Sequence, residues 1–405
     1  MAERQPTIYL DNHATTRLDP RVLEAMLPWL TDRYGNAGSA THEMGREARA
    51  AVEGARATFA AGVGAEPREI AFTGGATEST NLAILGSALR WRRVHDAADR
   101  GHVITTVVEH HAVLDPVEHL EREGFAVTRL DVIPHGAAGV PGRVRLDDLE
   151  TALARPGTFL VSVLLANNEI GTVEDVAAIA ERVHAAGAVL HVDCAQAVGR
   201  MPVDVDAIGA DLASFSAHKF HGPKGAGALY VRRRGRAVRV EPLVHGGGQE
   251  RGLRSGTLDV PAIVGLAEAA RLAEAERPAD VARMGRLRDR LWASLEAAVT
   301  GVALNGPALD AGRTVRLVNN LNVRIPGVDG QSLLATLAGA GLAVSSGSAC
   351  SSESPRPSHV LRALGLDDDQ ARASLRFGLS RFTTEAEVDE AAARIAAGVA
   401  RLRAS

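Results

Sequence analysis

The sequence predicts an α/β fold built on a mostly parallel sheet, and three observations carry that expectation. Six short apolar runs recur along the chain, EIAFTG, HVITTVV, FAVTRLDV, TFLVSVLLA, AVLHVD and LASFS, separated by Ala/Glu/Arg-rich stretches of helical periodicity such as residues 173–187. The runs are apolar on both faces, as strands covered by helices on each side must be. Polar residues gather at the carboxyl ends of these runs, where ligands bind in such sheets.

The remaining elements follow in order. From about residue 260 to 299 the pattern is strongly helical, and shorter strands (LNVRI, LAVSS, LRFGLS) then alternate with helices, which predicts a second, smaller α/β domain beginning near residue 260. A chain of 405 residues, 46% hydrophobic and 23% charged, has the length and composition for two globular domains. A formal net charge of -4 gives no electrostatic footprint for nucleic acid or an anionic membrane. The opening MAERQPTIYLD lacks an apolar leader core, and no uncharged apolar stretch reaches the roughly 18 residues of a spanning helix, so the expected setting is cytoplasmic. Two cysteines cannot build a disulfide framework.

Of the 45 basic residues only Lys219 and Lys224 are lysine. Arginine replaces lysine wherever charge alone is needed, but a guanidinium stays protonated and cannot form an imine with an aldehyde. A surviving lysine therefore points to amine chemistry, and Lys219 lies in SFSAHKFHGPKG beside Ser216, His218 and His221. Lys224 reads as a turn lysine. Asp193, ending AVLHVD, either pairs with a pyridinium nitrogen or caps the next segment. In FTGGATESTN, Gly74 and Gly75 permit close backbone approach before a helix start suited to a phosphate.

Three further runs end in polar groups: Glu109, His110 and His111 in VVEHH, Asn167 and Asn168 in LLANNEIG, and Gln196 in HVDCAQ. An imidazole can stack on a ring and move protons, and amides can hydrogen-bond a phenolic oxygen. Cys350, in SSGSACSSESPRPS, reads as an accessible thiol on a mobile loop, whereas Cys194 reads as small core filler. Arg376 in SLRFGLS could grip a carboxylate bidentately. The run Arg232, Arg233, Arg234 and Arg236 reads as a solvated turn.

Taken together, YLDNHATT, GATEST, VEHHAVL, NNEIG, HVDCAQAVG, SFSAHKFHGPKG, HGGGQERGLRSGT, SSGSAC and LRFGLSRFTTE resemble the cysteine desulfurases of the bacterial iron–sulfur assembly and nitrogen-fixation type, within the class V aminotransferase relatives. The resemblance covers nearly the whole chain. It implies a type I PLP-dependent transferase fold: a large domain with a mostly parallel seven-stranded sheet over 16–260, and a smaller α/β domain formed by 1–15 and 261–405 with a mobile catalytic loop at about 345–358. It implies pyridoxal 5'-phosphate as cofactor, no metal, Lys219 as the Schiff-base lysine, Asp193 as the pyridinium partner, and His110 as the stacking imidazole. By the same resemblance Asn168 and Gln196 bond the ring, while Ala76, Thr77, Ser216 and His218 face the phosphate.

The resemblance further implies that Thr257 reaches the phosphate from the other subunit of a homodimer, that Asn36 and Arg376 hold substrate, and that Cys350 takes sulfur from L-cysteine as a persulfide, leaving L-alanine. An iron–sulfur scaffold or a thiolation carrier would collect that sulfur. The chain stops at RLRAS, without the extended tail by which some members dock their scaffold. Asn12 and His13 replace variable residues of the N-terminal motif and have no assigned role. Selenocysteine lysis and transamination are the nearest alternative reactions on such a site; a noncatalytic sulfur-system scaffold is disfavoured because every expected catalytic residue is present.

Overall fold

A computed structural model describes residues 7–96, 99–346 and 357–404. After β1 (Ile8–Tyr9), α1 (Pro20–Leu30) and α2 (Glu43–Gly62), the chain alternates β2 (Ile70–Thr73), α3 (Ala76–Val94), β3 (His102–Thr106), α4 (His111–Arg122), β4 (Ala126–Leu130), α5 (Leu146–Leu153), β5 (Thr158–Leu164), α6 (Val176–Ala185) and β6 (Val189–Asp193). β7 (Leu212–Ser216) and β8 (Gly227–Val231) precede the long α7 (Val260–Ala298). Then come β9 (Ala303–Leu304), β10 (Asn320–Arg324), α8 (Gly330–Gly339), β11 (Leu342–Ala343), α9 (His359–Ala363), α10 (Asp368–Arg372), β12 (Ser374–Gly378) and α11 (Glu385–Ala404).

The seven-stranded sheet has the order β2-β8-β7-β6-β5-β3-β4. Only β8 runs against its neighbours, antiparallel to both β2 and β7. The mostly parallel sheet expected from the apolar runs is therefore present, and strands such as β3, β7 and β8 are buried along their whole length. β8 was not among the six runs. Its opening residues are small, and a Cβ at Gly227 would lie 2.5 Å from the Gly75 Cα and 2.6 Å from the Phe215 carbonyl oxygen. Glycine there lets β8 pass against the turn that opens α3, at the cost of the apolar signal.

Two apolar cores result. One surrounds the large sheet, and the other is built from Ile8, Leu10, β10, β12, α8 and α11. β1 pairs with β11, so Ile8–Leu10 belong with the last third of the chain. The chain crosses between the cores at more points than boundaries at residues 15 and 260 imply. The first half of α7 (Ile263, Leu266, Ala270) packs in the large core and its second half (Leu287, Leu291, Leu295) in the other, the helix running unbroken through Pro278. Val360, Leu361 and Leu364 return to the large core. Among the described residues, no helix is long and apolar enough to cross a membrane.

The arginine run after β8 is no solvated turn. Arg232 donates to the Ala210 carbonyl and pairs with Asp206 at 3.0 Å, Arg234 pairs with Glu69 at 3.1 Å, and Arg236 donates to the Ala188 carbonyl. These side chains pin the edge of the sheet, with the carboxylate of Glu69 fully covered. A second pin fixes residues 245–257. Glu250, buried and in left-handed backbone (φ 48°), takes two N–H groups of Arg56 at 2.6 and 2.8 Å and the Phe72 amide at 2.7 Å. A carboxylate removed from water needs such complete pairing.

Candidate active site

At the end of β7 the chain tightens into a 3-10 turn, Ala217–Lys219, and then into left-handed backbone at His221 (φ 69°). A non-glycine residue there costs on the order of 1–3 kcal/mol and persists only when its surroundings fix it. Thr16 does so: its Oγ1 accepts from the His221 amide at 2.8 Å, and its own amide donates to the His218 carbonyl at 2.9 Å. The N-terminal segment is thus strapped across the lysine turn. Lys219 Nζ donates to the carbonyl oxygens of His13 at 2.6 Å and Ala14 at 2.9 Å.

This turn forms one wall of a cavity of about 450 Å³. Eleven residues that the sequence pointed to as site residues line it, Gly74 and Gly75 at the opening of α3 among them. Ala76, Thr77, Ser216 and His218 stand at one end, and His110, Asn168, Asp193, Gln196 and Lys219 complete the wall. At the first end, α3 starts from Gly75 (φ 143°), with no side chain capping its opening amides. Those amides and the helix dipole favour an anion. Glu78, in the first turn, also lines the cavity; its carboxylate accepts the Gly74 amide at 2.8 Å and is neutralised by Arg254 at 2.8 Å. His218 Nδ1 shares a hydrogen with Thr15 Oγ1 at 3.0 Å.

At the other end, Asp193 finishes β6 and its Oδ1 accepts the Ala195 amide at 2.9 Å. Burial pushes its carboxyl pKa above the ordinary value, while the Ala195 amide and the Lys219 cation pull it back. His110 caps α4, its Nδ1 accepting the Ala112 amide at 3.0 Å. The ring proton is therefore on Nε2. Burial first, then Lys219 and the neighbouring imidazoles, hold its pKa down at about 4, so it faces the cavity as a neutral donor. Asn167, the other amide at this strand end, is a turn-former: its Oδ1 accepts the amides of Glu169 and Ile170.

The structure adds residues that the sequence reading passed over. Ala14 and Thr15 also line the cavity, and so does Lys224, which is exposed in a turn as its sequence context predicts. Ala14 and Thr15 carry no chemical signal of their own and enter only because their segment straps the lysine turn. Arg376 lies in a small adjoining cavity that shares His110, Asn168 and Lys219 with the larger one. Its guanidinium donates to Asp11 at 2.8 Å and to the Asn168 carbonyl at 3.2 Å. Asn36 and Thr257 are exposed and line neither cavity; Asn36 Oδ1 accepts the Gly38 amide in a surface turn. Cys350 and most of its loop lie outside the described residues.

Cys194 is fully buried, and burial together with Asp193 drives its thiol pKa well above the ordinary value, which leaves it protonated and inert. Cys194→Ser is expected to keep its turnover per folded site within about twofold, while melting shows a loss of about 1–3 kcal/mol for burying a hydroxyl. Parallel activity and thermal-melt measurements check this. A large loss of rate at unchanged folding would return Cys194 to the chemistry.

The constellation fits pyridoxal phosphate. An uncapped helix start beside Ser216 and His218 suits its phosphate, a buried carboxylate that lacks a full set of donors suits a ring cation, and an amine stands between them. Comparisons with known proteins agree. The aminotransferase class-V family matches residues 8–391. The chain is 49% identical over 398 residues to the cysteine desulfurase IscS of Edwardsiella ictaluri, covering 98% of this chain and 93% of that protein. Among solved structures, a NifS-like protein is similar with a TM-score of 0.87 and 38% identity, over 98% of this chain and 100% of its own. SspA in complex with cysteine is similar with a TM-score of 0.76 and 35% identity, over 93% and 99% of the two chains.

Proposed function

The chain belongs to the class-V aminotransferase family, and on that premise we propose that it is a cysteine desulfurase whose cavity residues act on L-cysteine and whose Cys350 receives the sulfur. The observation that carries this reading is the meeting of Lys219, Asp193 and the uncapped start of α3 in one cavity. Members of this family use pyridoxal phosphate, which when bound supplies an electron sink that acidifies the substrate α-proton and loosens its carbon–sulfur bond.

Each residue then has a task set by its position. The amides of Ala76 and Thr77, with Ser216 and His218, hold the phosphate. Asp193 would keep the ring nitrogen of the bound cofactor protonated, and His110 would stack on the ring as a neutral imidazole. Gln196 and Asn168, which line the same cavity, would hydrogen-bond the ring. Lys219 Nζ anchors the cofactor and then takes the α-proton of the substrate. Arg376, beside Lys219 in the adjoining cavity, holds the substrate carboxylate, for which a guanidinium is geometrically suited; Asn36, in a surface turn outside both cavities, is a second substrate contact on the strength of the resemblance alone.

The Cys350 thiolate attacks the substrate sulfur. A sulfur–sulfur bond forms as the carbon–sulfur bond breaks, the electron pair stays with carbon, and a proton completes L-alanine. The persulfide on Cys350 passes to an acceptor protein, either an iron–sulfur scaffold or a thiolation carrier. We read the active form as a cytoplasmic homodimer, in which Thr257, exposed in the single chain, reaches the partner's phosphate; its exposure outside both cavities is compatible with that reading.

Cys350→Ser tests the thiol's part. Nucleophilic catalysis is lost with the sulfur, so sulfide and persulfide formation from L-cysteine is expected to fall by about 10²–10⁴-fold while the yellow colour of the bound cofactor remains. The measurement is persulfide labelling and sulfide release beside a visible spectrum. Full activity in this variant would remove Cys350 from the reaction.

A further inference from the structure

We infer that His13 is a positioning residue for the cofactor: its ring holds the Gln196 side-chain amide in the one orientation that offers an N–H to the cavity. The inference rests on the pyridoxal phosphate reading above. His13 is 1% exposed and sits where the N-terminal strap, the lysine turn and the second core meet. A Cβ on Gly378 of β12 would lie 2.8 Å from both the His13 Cδ2 and the His13 amide nitrogen and 2.9 Å from the Asn12 amide nitrogen, so glycine there lets the strap, backbone and ring together, lie against the strand.

The ring's hydrogen bonds fix its tautomer. Nε2 stands 3.3 Å from Asn320 Nδ2, and Nδ1 stands 3.0 Å from Gln196 Oε1. An amide nitrogen has only protons to offer, so Nε2 accepts and Nδ1 carries the ring proton. Burial and the cations of Arg200 and Arg376 hold the ring well below its ordinary pKa, and it stays neutral. This arrangement does not switch at neutral pH.

The consequence falls on Gln196. Its Oε1 receives the His13 Nδ1–H and a second N–H from Arg200 at 3.3 Å. Its Nε2 gives one proton to the His13 carbonyl at 3.0 Å, which leaves the other for the cavity that Gln196 lines. Flipping the amide would set its N–H groups against two donors. The phenolic oxygen of pyridoxal phosphate is an acceptor, so the orientation that His13 enforces is the one the cofactor needs. The same His13 carbonyl also receives Lys219 Nζ at 2.6 Å. One residue thereby sets both the amine and an amide beside the ring.

The test compares the holoenzyme with His13→Leu, His13→Asn, Gln196→Leu and the His13→Leu/Gln196→Leu double variant, reading pyridoxal phosphate dissociation and the pH at which the visible band changes. His13→Leu is expected to weaken cofactor binding about tenfold, the scale of one oriented hydrogen bond, and to move the spectral transition. His13→Asn, which restores an N–H near the position of Nδ1, is expected to stay within about threefold of the wild type with its transition unmoved. The double variant is expected to be no weaker than Gln196→Leu alone, because the two act through one contact.

Wild-type affinity and spectrum in His13→Leu, or fully additive losses in the double variant, would overturn the inference. Should His13→Leu not accumulate as folded protein, His13→Asn still decides: a tenfold loss there overturns the inference as well. A wild-type chain that takes up no pyridoxal phosphate would instead overturn the reading beneath it.

Discussion

Lys219→Ala is expected to lower L-alanine formation from L-cysteine by about 10²–10⁴-fold, the range set by loss of a positioned proton-transfer group. The side chain gives up two hydrogen bonds to main-chain oxygens of the N-terminal strap, those of His13 and Ala14, so the loss to folding is small beside the loss to chemistry. The visible absorption of the amine-bound cofactor is expected to vanish with it. The phosphate end of the cavity is untouched by this change, and pyridoxal phosphate should still be retained weakly through Ala76, Thr77, Ser216 and His218. The measurement is alanine production beside an absorption spectrum taken after gel filtration. An unchanged spectrum would sink the assignment of Lys219.

Asp193→Asn carries the second large effect and separates two readings that the sequence left open. As a cap, Asp193 needs only an oxygen to accept the Ala195 amide, and asparagine keeps that oxygen. As partner to a ring cation it needs its charge. Asparagine removes that charge from a fully buried site, and turnover is expected to fall about 10²–10³-fold, the scale of losing one preorganised electrostatic contact. Folding is expected to change little. Steady-state rates and thermal melts on the same preparation check both halves. Near-normal turnover in Asp193→Asn would leave Asp193 as a cap.

Much of this was legible because buried strands write themselves plainly. Six apolar runs coincide with strands of the large sheet, and the polar residues at their ends meet in one cavity, since parallel strands point their carboxyl ends the same way. What was hidden is equally physical. β8 begins with small residues because the backbone of Gly75 presses on it. The arginine run looked solvated because its partners Glu69, Asp206 and Ala210 lie far away in sequence. His13 gave no signal, for its partners Gln196 and Asn320 are 183 and 307 residues distant. Lys224 is the exposed turn lysine that its sequence context predicts; that its turn borders the cavity was not legible locally. Local pattern reports periodicity and turns; it does not report which distant carbonyl a side chain will meet.

The central claim is that this cavity converts L-cysteine to L-alanine while its sulfur leaves through the protein. The most direct measurement incubates the purified protein with pyridoxal phosphate, L-cysteine and a thiol reductant, and quantifies alanine and sulfide in the same tube. Equal amounts of the two, rising together and dependent on Lys219, are the expected result. Alanine and sulfide both absent, or a keto acid accumulating in place of alanine, would contradict it.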